Sequence, residues 1–518
     1  MESKILVVRA LAGTLVGAMA WGGAATAETN DAACFAQPTQ SCVLKLALKE
    51  MAGKAKQASP LIVAIGRAQV RTGRLKAALA TVSLFPAGRG YDLSRAELRR
   101  AIAVAQVGAG RFDDARATLD PIPAGRLRVS PLVSLGVAAA KAGRSDIANK
   151  AFLQARETAA ALTNDLQRRK AFFRLAELLS NGGHWDLALK SARAIRDPYL
   201  QAWSLGYVAG RLANAKRRTE ASKVFREAVG LARTLKLPRS RVGMITKLCH
   251  FQGRSGNAED VAAALGEAFA AARAVKSPRL RLGALSLIAR GLEATGSAGR
   301  HTDDVGAAIK VINAGGYATQ RPLLLLGFAR AQARAPGRKG AKKTFAMALE
   351  ATGAVKDTGN RLRAISDVAR AQAEVGLLAD ARRTAAKIPA NERLAKYPHG
   401  NALSAIAKAL VVVGQHDQAA KIAREILEPW FRDTTLDHIA RSRAAAGDFK
   451  TALALAHKIE RGAFRVRALR ETGRRQIAAG RADAGLATLR SALNETRAIK
   501  GWHSRGLLYA GTADALPR

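Results

Sequence analysis

The chain has 518 residues, of which 48% are hydrophobic and 5% aromatic, and its 84 Lys and Arg against 40 Asp and Glu give a formal net charge of +44. This length suits several ordinary domains or one long repeat array, and the scarcity of β-branched runs and alternating patterns excludes a sheet-based fold. The charge favours polyanionic partners, namely nucleic acid, anionic lipid, acidic polysaccharide or acidic protein. The alternative is a basic, hydrated surface whose arginines pair locally with carboxylates.

Residues 1–27 have the pattern of a cleavable secretory signal peptide. Lys4 and Arg9 supply positive charge, an apolar stretch ends at Trp21, and Ala25-Thr26-Ala27 is a small-residue cleavage site. No later segment reaches about 18 apolar residues, so no transmembrane span is expected after signal removal. The sequence therefore predicts a periplasmic or secreted protein, with an uncleaved anchor as the alternative. In that compartment nucleic acid is an unlikely partner.

Residues 28–58 form an N-terminal segment with two of the three cysteines. Cys34 and Cys42 flank a short loop that contains Pro38. Because an exported protein meets an oxidising environment, we expect these cysteines to form a disulfide, and two free thiols are the alternative. Cys249 lies in an apolar helical stretch, where a small buried hydrophobic residue is expected rather than a nucleophile.

From residue 59 to residue 500 one pattern recurs: an apolar helical stripe, a glycine, and an alanine five residues later. Glycine accepts the left-handed conformation that ends a helix, and alanine lets a second helix pack closely against the first. The clearest glycine–alanine pairs are Gly73/Ala78, Gly110/Ala115, Gly143/Ala148, Gly183/Ala188, Gly376/Ala381, Gly414/Ala419 and Gly447/Ala452. Gly253 or Gly256, Gly296 and Pro336-Gly337 mark three further breaks, Asn214-Ala215 marks a degenerate one, and a final copy has Gly480 with Gly485 in the alanine place. Successive breaks lie about 37 residues apart, which is the range of helical repeats.

The pattern predicts an all-α fold, a right-handed superhelical solenoid of about twelve helix-turn-helix units. Neither helix of a unit can bury its apolar stripe alone, so neighbouring units must cover each other. Residues 501–518 carry one more helical piece and are predicted to be a C-terminal capping helix and tail.

The repeat resembles the middle of the tetratricopeptide repeat consensus, most clearly at Gly376/Ala381 and Gly447/Ala452. The resemblance covers residues 59–500, although the spacing is not a strict 34 residues and the early tryptophan of that family is missing. A related α-solenoid class is therefore the alternative. The resemblance implies a binding scaffold whose first helices line a concave groove.

The sequence carries no recognisable catalytic, cofactor or metal motif. The eight histidines are scattered and do not combine with carboxylates at the spacing of metal ligands. The segment Gly337–Thr344 lacks the second glycine that a phosphate-binding loop requires. We therefore expect no enzyme, no cofactor and no metal.

A glutamine precedes the break by four residues in five units, and an inter-helix hydrogen bond is the favoured interpretation. These glutamines are Gln69, Gln106, Gln332, Gln372 and Gln476.

A basic residue stands six positions before the break in eight of the units. These residues are Arg67, Lys247, Arg290, Arg330, Arg370, Lys408, Arg441 and Arg474. In the tetratricopeptide family the matching position faces the groove, so the resemblance implies a basic stripe, which is unbroken from Lys247 to Arg474. The alternative is an inherited structural arginine that pairs with the neighbouring helix.

Two functions follow from these observations. The first is an exported scaffold that binds an acidic protein or peptide in a basic concave groove. The second is a binder of envelope polyanions, meaning acidic glycan or anionic lipid head groups. Salt dependence separates the two, because polyanion binding weakens steeply with salt.

Overall fold

The computed structural model describes residues 31–51, 58–86, 88–123, 125–253, 255–315 and 317–516. The predicted signal peptide and its cleavage site lie outside these residues. The described residues contain helices and no strand, which confirms the predicted all-α class. None of their helices is long and apolar enough to cross a membrane.

Two short helices precede the repeats, α1 (Asp31–Ala36) and α2 (Gln40–Met51). From α3 onward, odd-numbered helices are the first helices of the hairpins and even-numbered helices are the second. The first helices are α3 (Ser59–Arg71), α5 (Asp92–Gly108), α7 (Arg126–Lys141), α9 (Asp165–Asn181), α11 (Pro198–Asn214), α13 (Pro238–Gln252), α15 (Pro278–Thr295), α17 (Arg321–Arg334), α19 (Thr358–Glu374), α21 (Lys396–Val412), α23 (Pro429–Ala445), α25 (Gly462–Ala478) and α27 (Trp502–Ala513). The second helices are α4 (Leu75–Val82), α6 (Phe112–Leu119), α8 (Ser145–Ala160), α10 (Trp185–Arg193), α12 (Arg218–Arg233), α14 (Ala258–Arg273), α16 (Thr302–Ala314), α18 (Ala341–Ala351), α20 (Leu378–Ala385), α22 (His416–Glu425), α24 (Phe449–His457) and α26 (Ala482–Arg497).

The turn within each hairpin is a left-handed helix stop. At Gly376, φ is 82°, the Gly376 amide donates to the Ala373 carbonyl, and the Leu377 amide donates to the Gln372 carbonyl. This pair of bonds satisfies carbonyls that the helix end would leave open. In the turn between α11 and α12 the left-handed residue is Lys216, with φ of 63°, two positions beyond the break marked at Asn214. A residue with a Cβ therefore replaces glycine at this turn.

Consecutive first helices pack directly on one another, whereas consecutive second helices barely touch. Small residues permit the close approach: a Cβ added to Gly206 of α11 would lie 2.1 Å from the Leu248 side chain of α13. Helices that crowd their neighbours must lie at the smaller radius of a curved stack. The first helices therefore line the inner face, and the second helices form the outer face.

The two ends of the stack meet, so the array is a closed ring. The terminal helix α27 packs against α2 and α3, and Leu61, Tyr509 and Ala513 belong to one buried cluster. In this way α27 and α2 form a composite hairpin, whose first helix comes from the C-terminal end and whose second helix comes from the N-terminal end. The predicted C-terminal capping helix thus does not cover an open end, because α2 and α3 already occupy it.

The seam between the ends combines apolar and polar contacts. Gln40 Nε2 donates to the Leu516 carbonyl at 2.9 Å, and Leu61 packs over Gly506. Cys34 and Cys42 are joined by a disulfide, with Cα atoms 5.7 Å apart, which ties α1 to α2 beside this seam. The covalent link thus lies in the part of the chain that closes the ring.

Four of the five recurrent glutamines bridge the two helices of their hairpin, as predicted. A threonine twelve residues later donates its hydroxyl to the glutamine Oε1 at 2.7–2.8 Å. The pairs are Gln69–Thr81, Gln106–Thr118, Gln372–Thr384 and Gln476–Thr488. Gln332 is the exception: its Oε1 is buried without a partner among the described residues, and Thr344 bonds the Gly340 carbonyl instead. The glutamines are therefore structural.

Candidate functional site

The inner face of the ring is the candidate binding surface, because side chains on the first helices converge there. In α19 this face includes Arg363, Asp367 and Arg370, which follow one another at helical spacing. Arg363 is exposed, and the other two are partly buried. Polar, accessible side chains of this kind distinguish the inner face from the packed sides of the helix.

One predicted stripe residue, Arg330, joins three consecutive first helices. Its guanidinium lies 2.8 Å from a Glu293 carboxylate oxygen in α15 and 3.5 Å from one of Glu374 in α19. All three side chains are partly buried, so the contact is more than an exposed surface pair. Arg330 therefore contributes to packing between units.

Other predicted stripe arginines pair with carboxylates nearby. Arg370 reaches Asp367 at 3.0 Å and Glu374 at 2.8 Å, both on its own helix. The other such pairs are Arg67–Glu97, Arg441–Asp437 and Arg474–Glu471. These ion pairs neutralise much of the charge that the stripe was expected to offer a ligand.

Lys247, Arg290 and Lys408 form no ion pair among the described residues. Lys247 lies ten residues after the N-cap Leu237, whereas Arg290 lies thirteen after the N-cap Ser277, so Lys247 is displaced by one helical turn. Its ammonium nitrogen lies 3.4 Å from the centre of the Trp203 ring. Burial lowers the pKa of Lys247 and also that of Lys408.

A groove of about 480 Å³ crosses the inner face from α5 to α11. Its apolar lining includes Leu93, Pro131, Phe173 and Trp203. The Phe173 and Trp203 rings meet edge to face, with centroids 5.2 Å apart. Leu93 is 58% exposed, so the groove offers apolar area to a ligand.

Cations border this apolar floor. Arg100, Lys170 and Arg174 line the groove, and the Lys247 ammonium lies over the ring of Trp203. Lys170 is exposed and forms no ion pair among the described residues, while Arg174 pairs with Glu177 at 2.6 Å. Burial lowers the pKa of Arg100, Glu97 opposes this shift, and Arg174 and Arg67 reinforce it. This repulsion between cations would be relieved by a bound carboxylate.

The sequence did not identify the groove. Lys170 and Arg174 lie thirteen and nine residues before Gly183, so a count of six residues before each break passes over both. Helical periodicity supplies the missing signal, because residues three, four and seven positions before the stripe position lie on the same inner face of the helix. The aromatic residues Phe173 and Trp203 stand at such positions.

A second cavity, of about 430 Å³, lies at the seam of the ring. Lys49 pairs with Asp31 at 2.7 Å across it, and Arg505 pairs with Glu50. Burial raises the pKa of the Tyr509 phenol, which lines the same cavity, to about 12. The charged side chains that line this cavity are thus largely paired with one another.

No group of three His, Cys, Asp or Glu side chains suited to a metal ion occurs among the described residues. Cys249 is fully buried, and burial raises the pKa of its thiol. His184, His399 and His438 have pKa values lowered by burial. The site is therefore described by its charge and shape rather than by a reactive group.

The sequence matches no protein-family model and no curated protein sequence. Among solved structures, Ton1535 from Thermococcus onnurineus NA1 is 17% identical with a TM-score of 0.28, over 66% of this chain and 99% of that chain. A circular tandem repeat protein is 13% identical with a TM-score of 0.20, over 89% and 90%. Human IFIT1, solved as a dimer with m7Gppp-AAAA, is 13% identical with a TM-score of 0.24, over 77% and 90%. At these scores the similarities assign neither a family nor a function.

Proposed function

We propose that the protein is an exported ring-shaped scaffold that binds an extended, acidic segment of a partner protein on its inner face. The observation that carries the proposal is the groove across α5 to α11, where an aromatic and aliphatic floor is bordered by Arg100, Lys170, Arg174 and Lys247. Such a surface complements a peptide that alternates apolar and carboxylate side chains.

Export of the scaffold is part of this proposal. The signal-like pattern of residues 1–27 supports it, and the bond between Cys34 and Cys42 is the kind that persists in an oxidising compartment. The basic stripe is kept as a secondary binding surface. Arg290 and Lys408 are its available members, because they form no ion pair among the described residues, whereas Lys247 lies over the Trp203 ring.

The alternative is that an acidic envelope polymer occupies the groove. Binding of such a polymer would depend mainly on its charge and would weaken steeply with salt. The apolar floor around Phe173 and Trp203 favours a protein segment, whose side chains can be buried there. A partner held by both ionic and apolar contacts should keep part of its affinity at high salt.

Site-directed photocrosslinking tests the proposal. A benzoylphenylalanine at Leu93, in the groove, should capture a partner in the envelope, and one at Leu153, exposed on α8, should not. Lys170→Glu with Arg174→Glu should abolish the capture, whereas Lys150→Glu on the outer helix α8 should leave it intact. Arg290 and Lys408 changed together to glutamine test the stripe separately, because both are exposed and lie outside the groove. Equal capture at Leu93 and Leu153, or capture that survives the groove charge reversal, would contradict the proposal.

A further inference from the structure

The two edges of the ring differ in composition. Each hairpin is antiparallel, so its tight turn lies at one edge and the loop to the next hairpin lies at the other. We call these the turn edge, which carries the left-handed turn residues such as Gly376, and the loop edge, which carries the N-terminal ends of the first helices. The loop edge has features that neither the groove nor the stripe explains.

Large apolar side chains are exposed mainly along the loop edge. They lie in the loops or within the first three residues of the first helices. Apart from Leu93, which lines the groove, they are Leu84, Leu166, Tyr199, Leu237, Leu280, Leu323, Leu394, Tyr397, Leu427 and Trp430. Leu237 is 67% exposed and Trp430 is 43% exposed. Among the described residues, the exposed large apolar side chains at the turn edge are Val412 and Val413.

Exposed cations lie between these apolar residues because of the order of residues in the loops. In several loops an aliphatic residue such as Ile195 or Val275 plugs the junction between hairpins, and the next residue must then point outward. That next residue is basic in five loops, and two more cations follow at the start of α13 and α15. The seven are Arg196, Lys236, Lys276, Lys356, Lys500, Arg239 and Arg279.

These seven cations are exposed, and none forms an ion pair within the described part of the chain. Arg196 and Lys356 are each followed by an aspartate that caps the next helix. Asp197 accepts from the Leu200 amide at 2.8 Å, and Asp357 accepts from the Asn360 amide at 2.7 Å. At the turn edge several arginines are matched by neighbouring carboxylates. Examples are Arg144–Asp146 at 3.0 Å and Arg217–Glu220 at 2.6 Å. Arg338, Lys339, Lys342 and Lys343, by contrast, are exposed there without an ion pair among the described residues.

We propose that the loop edge is a membrane-docking surface, on which the ring rests against a bilayer that contains anionic lipids. Unpaired lysines and arginines attract the negative lipid head groups. Leucine, tyrosine and tryptophan side chains enter the boundary between head groups and acyl chains. A soluble acidic glycan would satisfy the cations but offers no apolar phase for Leu237, Leu280 or Trp430. Such docking would leave the inner groove open for its ligand.

Vesicle co-sedimentation of the purified protein tests this proposal. The probes are mixed phosphatidylglycerol–phosphatidylcholine vesicles and pure phosphatidylcholine vesicles. The protein should sediment with the mixed vesicles and much less with the neutral ones. Changing Lys236, Lys276 and Lys356 to glutamine should lower the partition coefficient about a hundredfold, because each basic residue near the surface contributes about fivefold. A matched variant with Lys76, Lys141 and Lys450 at the turn edge changed to glutamine has the same net charge and should bind like the original.

The apolar contribution is tested by Leu237→Ser with Leu280→Ser, which should lower vesicle binding about tenfold and abolish the binding that persists at high salt. Circular dichroism should show unchanged helicity for each variant. Three results would overturn the proposal: equal binding to neutral and anionic vesicles, an equal loss in the turn-edge control, or serine variants that bind normally while soluble alginate competes. The last result would identify a site for acidic polymers instead.

Discussion

Arg505 and Glu50 are 455 positions apart in the chain, yet they form a bidentate ion pair. Arg505 Nε donates to one Glu50 carboxylate oxygen at 2.6 Å, and Nη2 donates to the other at 2.8 Å. Arg505 Nη1 also donates to the Ile499 carbonyl at 2.9 Å. The pair joins the last first helix, α27, to α2 and so ties the two ends of the ring.

Arg505→Gln should loosen the seam at both ends of the chain. The pair is partly exposed, so we expect a loss of about 1 kcal/mol, seen as faster amide exchange in both α2 and α27. Arg281→Gln is the matched control, because Arg281 donates to the loop carbonyl of Val275 without a carboxylate partner. Its effect should stay local to α15. Exchange that rises in α27 alone would contradict closure through this pair.

Cys34→Ser with Cys42→Ser should destabilise the closing helix. The bond closes a short loop, for which chain entropy predicts a loss of about 2–3 kcal/mol. Hydrogen exchange should accelerate in α1, α2 and α27, while distant α13 keeps its protection. Unchanged exchange in α27 would show that the disulfide does not support the seam.

Lys216→Gly should stabilise the protein. Lys216 occupies a left-handed turn, with φ of 63°, where eight other hairpins have glycine with φ of 74–83°. Removing the Cβ relieves a cost of about 1 kcal/mol. Denaturant unfolding should show the increase, and Lys150→Gly, inside helix α8, should lower stability instead. A decrease for Lys216→Gly would exclude backbone strain at this turn.

Thr384→Val should cost about 1–3 kcal/mol, because it leaves the buried side-chain oxygen Oε1 of Gln372 without its donor. Thr344→Val is the matched control, since this equally buried threonine donates to a backbone carbonyl and not to a glutamine. Thermal unfolding of the two variants should therefore separate. Equal losses would mean that the glutamine–threonine bond adds nothing to the hairpin.

The protein should lose stability below about pH 6.5. Burial lowers the pKa values of His184, His399 and His438 in the folded protein, so the unfolded chain takes up more protons as the pH falls through its ordinary histidine pKa of 6.5. The free energy of unfolding should be constant above neutrality and decrease toward pH 5.5. His438→Gln should reduce this slope. A flat profile would contradict the burial effect.

The sequence by itself determined the hairpins. Gly376 stops one helix because it takes a left-handed conformation, and Ala381, which is fully buried, lets the next helix pack against it. An inter-helix hydrogen bond of Gln372 was likewise expected from the recurrent glutamine, although its partner, Thr384, was identified by the structure. These features depend on residues within one unit, so local spacing predicts them.

Only the tertiary structure decided that the array closes, which inner-face cations are matched, and what the loop edge exposes. Closure depends on the small rotation between units accumulated over the whole stack, and no single residue such as Glu50 encodes it. Arg330 was predicted from spacing, but Glu293 and Glu374 on two neighbouring helices determine its ion pairs. Contacts between units depend on how helices far apart in sequence approach one another, and periodicity within one unit does not contain that information.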